Sequence, residues 1–280
     1  MTYNLLDLFS GIGGFSLGLE RSGGFKTVAF CEIDLFCCKV LEKHWPEVPI
    51  YDDIRTLTAA RLASDRITVD AICGGFPCQD ISVAGKGAGI DGARSGLWSE
   101  YARLVGELRP KYVIVENVAA LLGRGLERVL GDLAALRYDA EWHCIPASAV
   151  GAPHLRDRVW IVAYPERANG GDCQEHAEEG QRQPGTHTNN PVSPGLSTDV
   201  RGQRIQGIIS KKVQRQPAFS WCQDIRGIAD FFQRSDIPEP LLWRIDDGLS
   251  DRVDAIGNAV VPQIPEMIGC AIIASEQKPA

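Results

Sequence analysis

No stretch of this 280-residue chain approaches the roughly 18 to 20 consecutive apolar residues that a helical membrane span requires, so no integral membrane protein is expected. The first residues, Met1-Thr2-Tyr3-Asn4-Leu5-Leu6-Asp7, carry no basic flank ahead of an apolar run. No secretory signal is therefore expected, and the chain reads as cytoplasmic. Nine cysteines are present, but no pair of C-x2-C knuckles. That spacing predicts no structural zinc and no metal site, and leaves the thiols as small hydrophobes in a reducing compartment. Positive charge is in deficit, with 29 Lys and Arg against 36 Asp and Glu and a net charge of −7. A uniformly basic nucleic-acid coat is excluded, whereas an enzyme that meets nucleic acid through one face is not. No internal repeat is visible.

What the chain does contain is alternation. Short β-branched runs at Asn4–Leu8, Thr27–Cys31, Val69–Cys73, Lys111–Val115, Ala140–Ile145 and Arg158–Ala163 predict strands. Between them, Gly14–Arg21, Leu35–His44, Leu97–Leu108 and Leu126–Leu136 carry apolar residues at helical spacing. Strand–helix alternation predicts an α/β fold: a mostly parallel sheet with helices on both faces. Ligands in such sheets bind beyond the carboxyl ends of the strands, which singles out Asp7 to Gly14, Glu32, Gly74 to Gln79 and Glu116-Asn117. After Pro165 the composition turns to Gly, Gln, Asn, Thr, Ser and Pro with little periodicity, so 166–245 reads as an irregular, partly loop-like region. The basic residues Arg182, Arg201, Arg204, Lys211, Lys212 and Arg215 fall within it. The final segment, 246–280, contains a turn at Gly257 and then an apolar helix.

Two constellations carry chemistry. Asp7-Leu8-Phe9-Ser10-Gly11-Ile12-Gly13-Gly14-Phe15 is a strand entering a glycine turn and a helix, and Glu32 closes the next strand where a carboxylate can accept from ribose hydroxyls. The pair fits any adenosine-bearing cofactor. A G-x-G-x-x-G dinucleotide pattern is not met, because its third position is Ser16. Gly74-Gly75-Phe76-Pro77-Cys78-Gln79 places a thiol just beyond a buried-looking strand, ahead of a glycine-rich loop at Val83 to Gly89. A thiol so placed, with Glu116 at the end of one strand and Arg156 and Arg158 at the start of another, suits nucleophilic catalysis.

Taken in order, D-L-F-S-G-I-G-G-F at Asp7, G-G-F-P-C-Q at Gly74, E-N-V at Glu116, H-L-R-D-R-V at His154 and G-N-A-V-V-P-Q at Gly257 resemble the cytosine-5 DNA methyltransferase family. The resemblance implies a Rossmann-like, S-adenosylmethionine-dependent methyltransferase sheet over 1–165, a reduced target-recognition region over 166–245, and a segment 246–280 that returns to the catalytic domain. It implies S-adenosyl-L-methionine as cofactor, held by Phe9, Gly11, Gly13, Gly14, Glu32, Asp53, Pro77, Leu97 and Asn258. It gives Cys78 the attack on carbon 6 of a cytosine flipped from duplex DNA, Glu116 the ring N3, and Arg156 and Arg158 the base O2, a phosphate and the ionised thiol. The implied partners are double-stranded DNA and a cognate restriction endonuclease, and the implied state is a monomer. His154 stands where the family has Gln, and Ile33 where an aromatic stacks on adenine. A tRNA cytosine-5 methyltransferase and an inactive nucleic-acid-binding relative share these motifs. A nicotinamide oxidoreductase leaves the Pro-Cys and E-N-V loops unexplained.

Overall fold

The computed structural model describes residues 1–77, 97–152, 154–166 and 259–277. The chain divides into two compact units, one of residues 1–165 with 216–280 and one of residues 166–215. The second unit lies outside the described residues except for Glu166.

Seven strands form one sheet: β1 (Tyr3–Leu8), β2 (Phe25–Cys31), β3 (Ile50–Tyr51), β4 (Ala71–Gly74), β5 (Tyr112–Val118), β6 (Tyr138–Pro146) and β7 (Asp157–Pro165). The helices are α1 (Gly14–Arg21), α2 (Leu35–His44), α3 (Ala59–Ser64), α4 (Leu97–Leu108), α5 (Leu121–Arg124), α6 (Leu126–Ala135) and α7 (Gln263–Gln277). The spatial order is β3-β2-β1-β4-β5-β7-β6. Strands β1 to β5 pair in parallel, whereas β7 runs antiparallel to both β5 and β6. The sheet is therefore mixed at one end, a feature that alternation alone did not indicate.

Residue alternation assigns the two faces. Ile72, Val113, Val115, Val159 and Ile161 pack on one side with Leu62 of α3, Trp98, Tyr101 and Leu104 of α4, and Val129 and Leu133 of α6. Their chain neighbours Ala71, Cys73, Tyr112, Ile114, Trp160 and Val162 pack on the other side with Phe15 and Leu19 of α1 and Met267, Ile268 and Ile272 of α7. Period-2 patterning of wholly apolar strands is what a sheet covered on both faces demands. Local chemistry sets the helix starts: Asp34 accepts from Cys37 N–H at 2.9 Å to cap α2, and Thr58 accepts from Arg61 N–H at 3.1 Å to cap α3. Helix α1 opens at Gly13, whose φ of 85° favours glycine.

Strand order reverses between β1 and β4, because the chain leaves β1 toward β2 and β3 and later returns on the other side. The carboxyl ends of these neighbouring strands are in register, with Leu8 beside Cys31 and Gly74, and Gly74 beside Val115. A crevice at this reversal is the place where open α/β sheets bind ligands. Among the described residues, no helix is long and apolar enough to cross a membrane.

Candidate active site

The glycine turn and Glu32 meet as their positions predict. Gly11 N–H donates to Glu32 Oε2 at 2.7 Å, while Oε1 accepts from the N–H groups of Ile33 and Asp34 at 2.9 and 2.8 Å. One half-buried carboxylate thus ties the end of β2 to the turn that opens α1. Phe9 sits at φ 53°, left-handed for a residue with a side chain, and packs partly into the core. Beneath the turn, Asp7 is fully buried and accepts from Ser16 through both Oγ (2.7 Å) and N–H (3.3 Å). Burial pushes its carboxyl up to about 7, with the Ser16 bonds pulling the other way. Beside Glu32, Ile33 and Leu35 are 70% and 77% exposed.

Asp53 stands at the end of β3's continuation, but its carboxylate is engaged locally. Arg55 reaches it with Nε at 3.0 Å and Nη2 at 2.8 Å, and Arg55 N–H donates to Oδ1 at 2.9 Å. The hydrogen bonds from Arg55 hold the Asp53 carboxyl below the usual range. Leu97 begins α4 and packs partly against the core.

Glu116 lies near the end of β5, directly opposite Trp160 of β7, with Arg158 on the same face one pleat along. Arg158 Nε is 2.8 Å from Glu116 Oε1, and the two side chains are 23% and 12% exposed. Burial raises the Glu116 carboxyl above its usual value, while Arg158 and Arg156 pull it back. Arg158 also donates through Nη1 to the Asp157 carbonyl at 2.9 Å. Arg156 sits just before β7 at φ 37°.

Phe76 is fixed from two sides. Asn117 Nδ2 donates to the Phe76 carbonyl at 3.0 Å, and the buried Phe76 ring packs on Trp98 with centroids 5.3 Å apart. Trp98 in turn donates to Asp132 at 2.9 Å. Sequence reasoning singled out Glu116-Asn117 as a strand end and as part of E-N-V without giving Asn117 a role, and it missed Trp160 and Arg55.

Several predicted residues lie outside the described residues: Cys78, Gln79, the Val83 to Gly89 loop, the basic residues from Arg182 to Arg215, and Asn258. What the structure brings together is the frame around them. It joins Gly11 to Glu32, Glu116 to Arg158, and Asn117 to the residue two before Cys78.

Comparison with known proteins matches this frame. The family described as C-5 cytosine-specific DNA methylase matches residues 3–217. The chain is 39% identical over 166 residues to the Type II methyltransferase M.Eco47II of Escherichia coli, covering 58% of this chain and 39% of that protein. It is 37% identical over 167 residues to the Type II methyltransferase M2.BsuMI of Bacillus subtilis, covering 57% and 41%. The match spans about two fifths of those relatives. A solved structure described as a putative DNA modification methyltransferase encoded within an Escherichia coli prophage aligns with a TM-score of 0.51 and 28% identity, covering 59% of this chain and 47% of that one.

Proposed function

The chain belongs to the C-5 cytosine-specific DNA methylase family, and from that membership we propose that it methylates carbon 5 of a cytosine swung out of duplex DNA, with Cys78 as covalent nucleophile. The observation that carries the reading is Glu116, a carboxyl raised by burial and held by Arg158 near the end of β5, the strand that pairs with β4.

Carbon 5 of cytosine is a weak nucleophile while the ring is aromatic. Attack by the Cys78 thiolate on carbon 6 breaks that conjugation and leaves carbon 5 electron-rich. Negative charge built up by the addition falls on ring N3, and a protonated Glu116 donates a hydrogen bond there. Burial moves the Glu116 carboxyl in the direction that eases uptake of that proton, while Arg158 and Arg156 pull it back. Arg158, with Nε on Glu116, aligns the acid and presents Nη2 toward the base's O2, and the Arg156 charge helps to keep the thiol ionised. Once carbon 5 carries the methyl group, loss of its proton to water expels the Cys78 thiolate and restores the ring. The target base leaves the stack at a cost of a few kcal/mol.

S-adenosylmethionine supplies the activated methyl group when bound. The residues present fit it: Glu32 offers a carboxylate beside the glycine turn for ribose hydroxyls, and exposed Ile33 and Leu35 offer an apolar wall for a purine. Gly11, Gly13, Gly14, Phe9, Pro77, Leu97 and Asn258 complete that pocket in this reading. Asp53, whose carboxylate Arg55 already engages, would hold the adenine amino group with its remaining accepting capacity. Residues 166–245 would read the target sequence, and 246–280 would complete the catalytic domain. Duplex DNA in the cytoplasm is the proposed substrate, a restriction endonuclease the proposed counterpart, and a monomer the proposed state.

The deciding experiment offers the protein duplex DNA or tRNA with radiolabelled donor, and separately a duplex carrying 5-fluorocytosine, which cannot lose its carbon 5 substituent. Label in duplex DNA and a covalent adduct that vanishes in Cys78→Ala are expected. Label confined to tRNA, or an adduct that survives the substitution, overturns the reading.

A further inference from the structure

Two adjacent glycines precede Phe76, and different neighbours require each of them. At Gly74 a Cβ would lie 2.3 Å from the backbone carbonyl of Leu8 in the neighbouring strand. Parallel pairing of β1 and β4 therefore accounts for that glycine. Gly75 is not among the glycines at positive φ. Its Cβ would instead lie 2.6 Å from Glu116 Oε2, 3.5 Å from the Glu116 carbonyl oxygen and 3.8 Å from Glu116 Cδ. The three nearest atoms all belong to one residue.

The end of a flexible side chain ordinarily swings away from such a contact. Glu116 is not free to do so, because Oε1 is held by Arg158 at 2.8 Å and the side chain is 12% exposed. The strand that carries it is paired on both sides, with β4 and with β7. Next to it, Asn117 holds the Phe76 carbonyl at 3.0 Å. Residues 116 and 117 thus grip residues 75 and 76 in turn, two residues ahead of Cys78.

We propose that Gly75 is a positioning residue for Glu116: the space left by its absent side chain is the slot in which the carboxyl sits, so that Oε2 is kept beside the turn while Arg158 keeps Oε1. The role Glu116 plays in catalysis rests on the function proposed above, whereas the slot itself is a property of the folded chain. A side chain at position 75 pushes the carboxyl out toward water and away from Arg158. The hydrogen bond offered to a flipped base is then lost, although Cys78 and the donor pocket are untouched.

The test uses the full chain with 13C-labelled glutamate carboxyl groups, the Glu116 signal being assigned by its loss in Glu116→Gln. In Gly75→Ala the Glu116 titration midpoint is expected to move down toward the ordinary carboxylate value as the group is rehydrated. Single-turnover methyl transfer is expected to fall by about 100-fold, the scale of losing one pre-positioned catalytic group, with donor affinity unchanged. In a Glu116→Ala background the slot is empty, and Gly75→Ala should cost nothing further. Should Gly75→Ala alone fail to fold, a folded Glu116→Ala/Gly75→Ala protein still supports the slot, and an unfolded one overturns it. An unchanged Glu116 titration, or an equal rate loss in both backgrounds, also overturns it. Failure of the function proposed above is seen separately, as no methyl transfer by the unaltered chain, and leaves the titration arm intact.

Discussion

One substitution, glycine to alanine, is expected to change stability in opposite directions in two helices of this protein. Gly131 lies inside α6, and a Cβ there meets nothing within 4 Å. Alanine gains the helix-propensity difference of about 0.8–1.0 kcal/mol, with no packing cost. Gly18 lies inside α1, where a Cβ would stand 2.1 Å from the Pro262 carbonyl oxygen, 2.7 Å from Pro265 Cγ and 3.0 Å from Glu266 N–H nitrogen. Two of those atoms are backbone, so no rotamer change relieves them. The start of α7 must retreat by about an ångström, disturbing the buried contacts of Ile264, Met267 and Ile268. Overpacking of this kind costs about 1–3 kcal/mol, and because the clash is with main chain the upper half of that range applies. Set against the propensity gain, Gly18→Ala should destabilise by about 1–2 kcal/mol, or roughly 2–6 °C in a chain of this size. Urea unfolding of both variants beside the unaltered protein, with the slope compared, reads the two signs directly. A Gly18→Ala protein as stable as the Gly131→Ala one would refute the close docking of α7 on α1.

Stability should also fall as pH rises through the range governed by Asp7. Its folded value of about 7 lies above the ordinary 3.8, so the native chain keeps a proton that the unfolded chain has released. The contribution is whole below about pH 4 and is lost progressively up to about pH 7, a span worth at most about 4 kcal/mol at 1.36 kcal/mol per unit. Asp7→Asn, which cannot ionise and can still accept from Ser16, should flatten that slope; equal slopes in the two proteins would remove Asp7 as its source. Glu32→Gln keeps the shape of the clamp but loses one of its two accepting oxygens and the charge. Calorimetric affinity for S-adenosylmethionine should drop by about 10- to 100-fold, the worth of a hydrogen bond to a charged group, and unaltered binding would take Glu32 out of the donor pocket.

Much of the fold was legible in the chain because its signals are local. Helices α1, α2 and α4 begin and end where their apolar spacing does, and Glu32 lies at the turn beside Gly11 because a strand end followed by a glycine turn leaves few other places for it. Shorter pieces escaped: Ala59–Ser64 and Leu121–Arg124 are too brief to show a period. The direction of β7 was also hidden, since strand sense depends on the path of the connecting chain rather than on which side chains alternate.

The sequence by itself settled which residue types are available, and roughly where along each strand they stand: an acid after β2, E-N-V at the end of β5, two arginines at the start of β7. Only the tertiary structure decided what each one touches. It gave Glu116 to Arg158 and to the hollow at Gly75, and Gly18 to the Pro262 carbonyl. The physical reason is one of range: periodicity and capping act over a few residues, whereas these contacts join distant segments and exist only once strand register and helix docking bring them within a few ångströms.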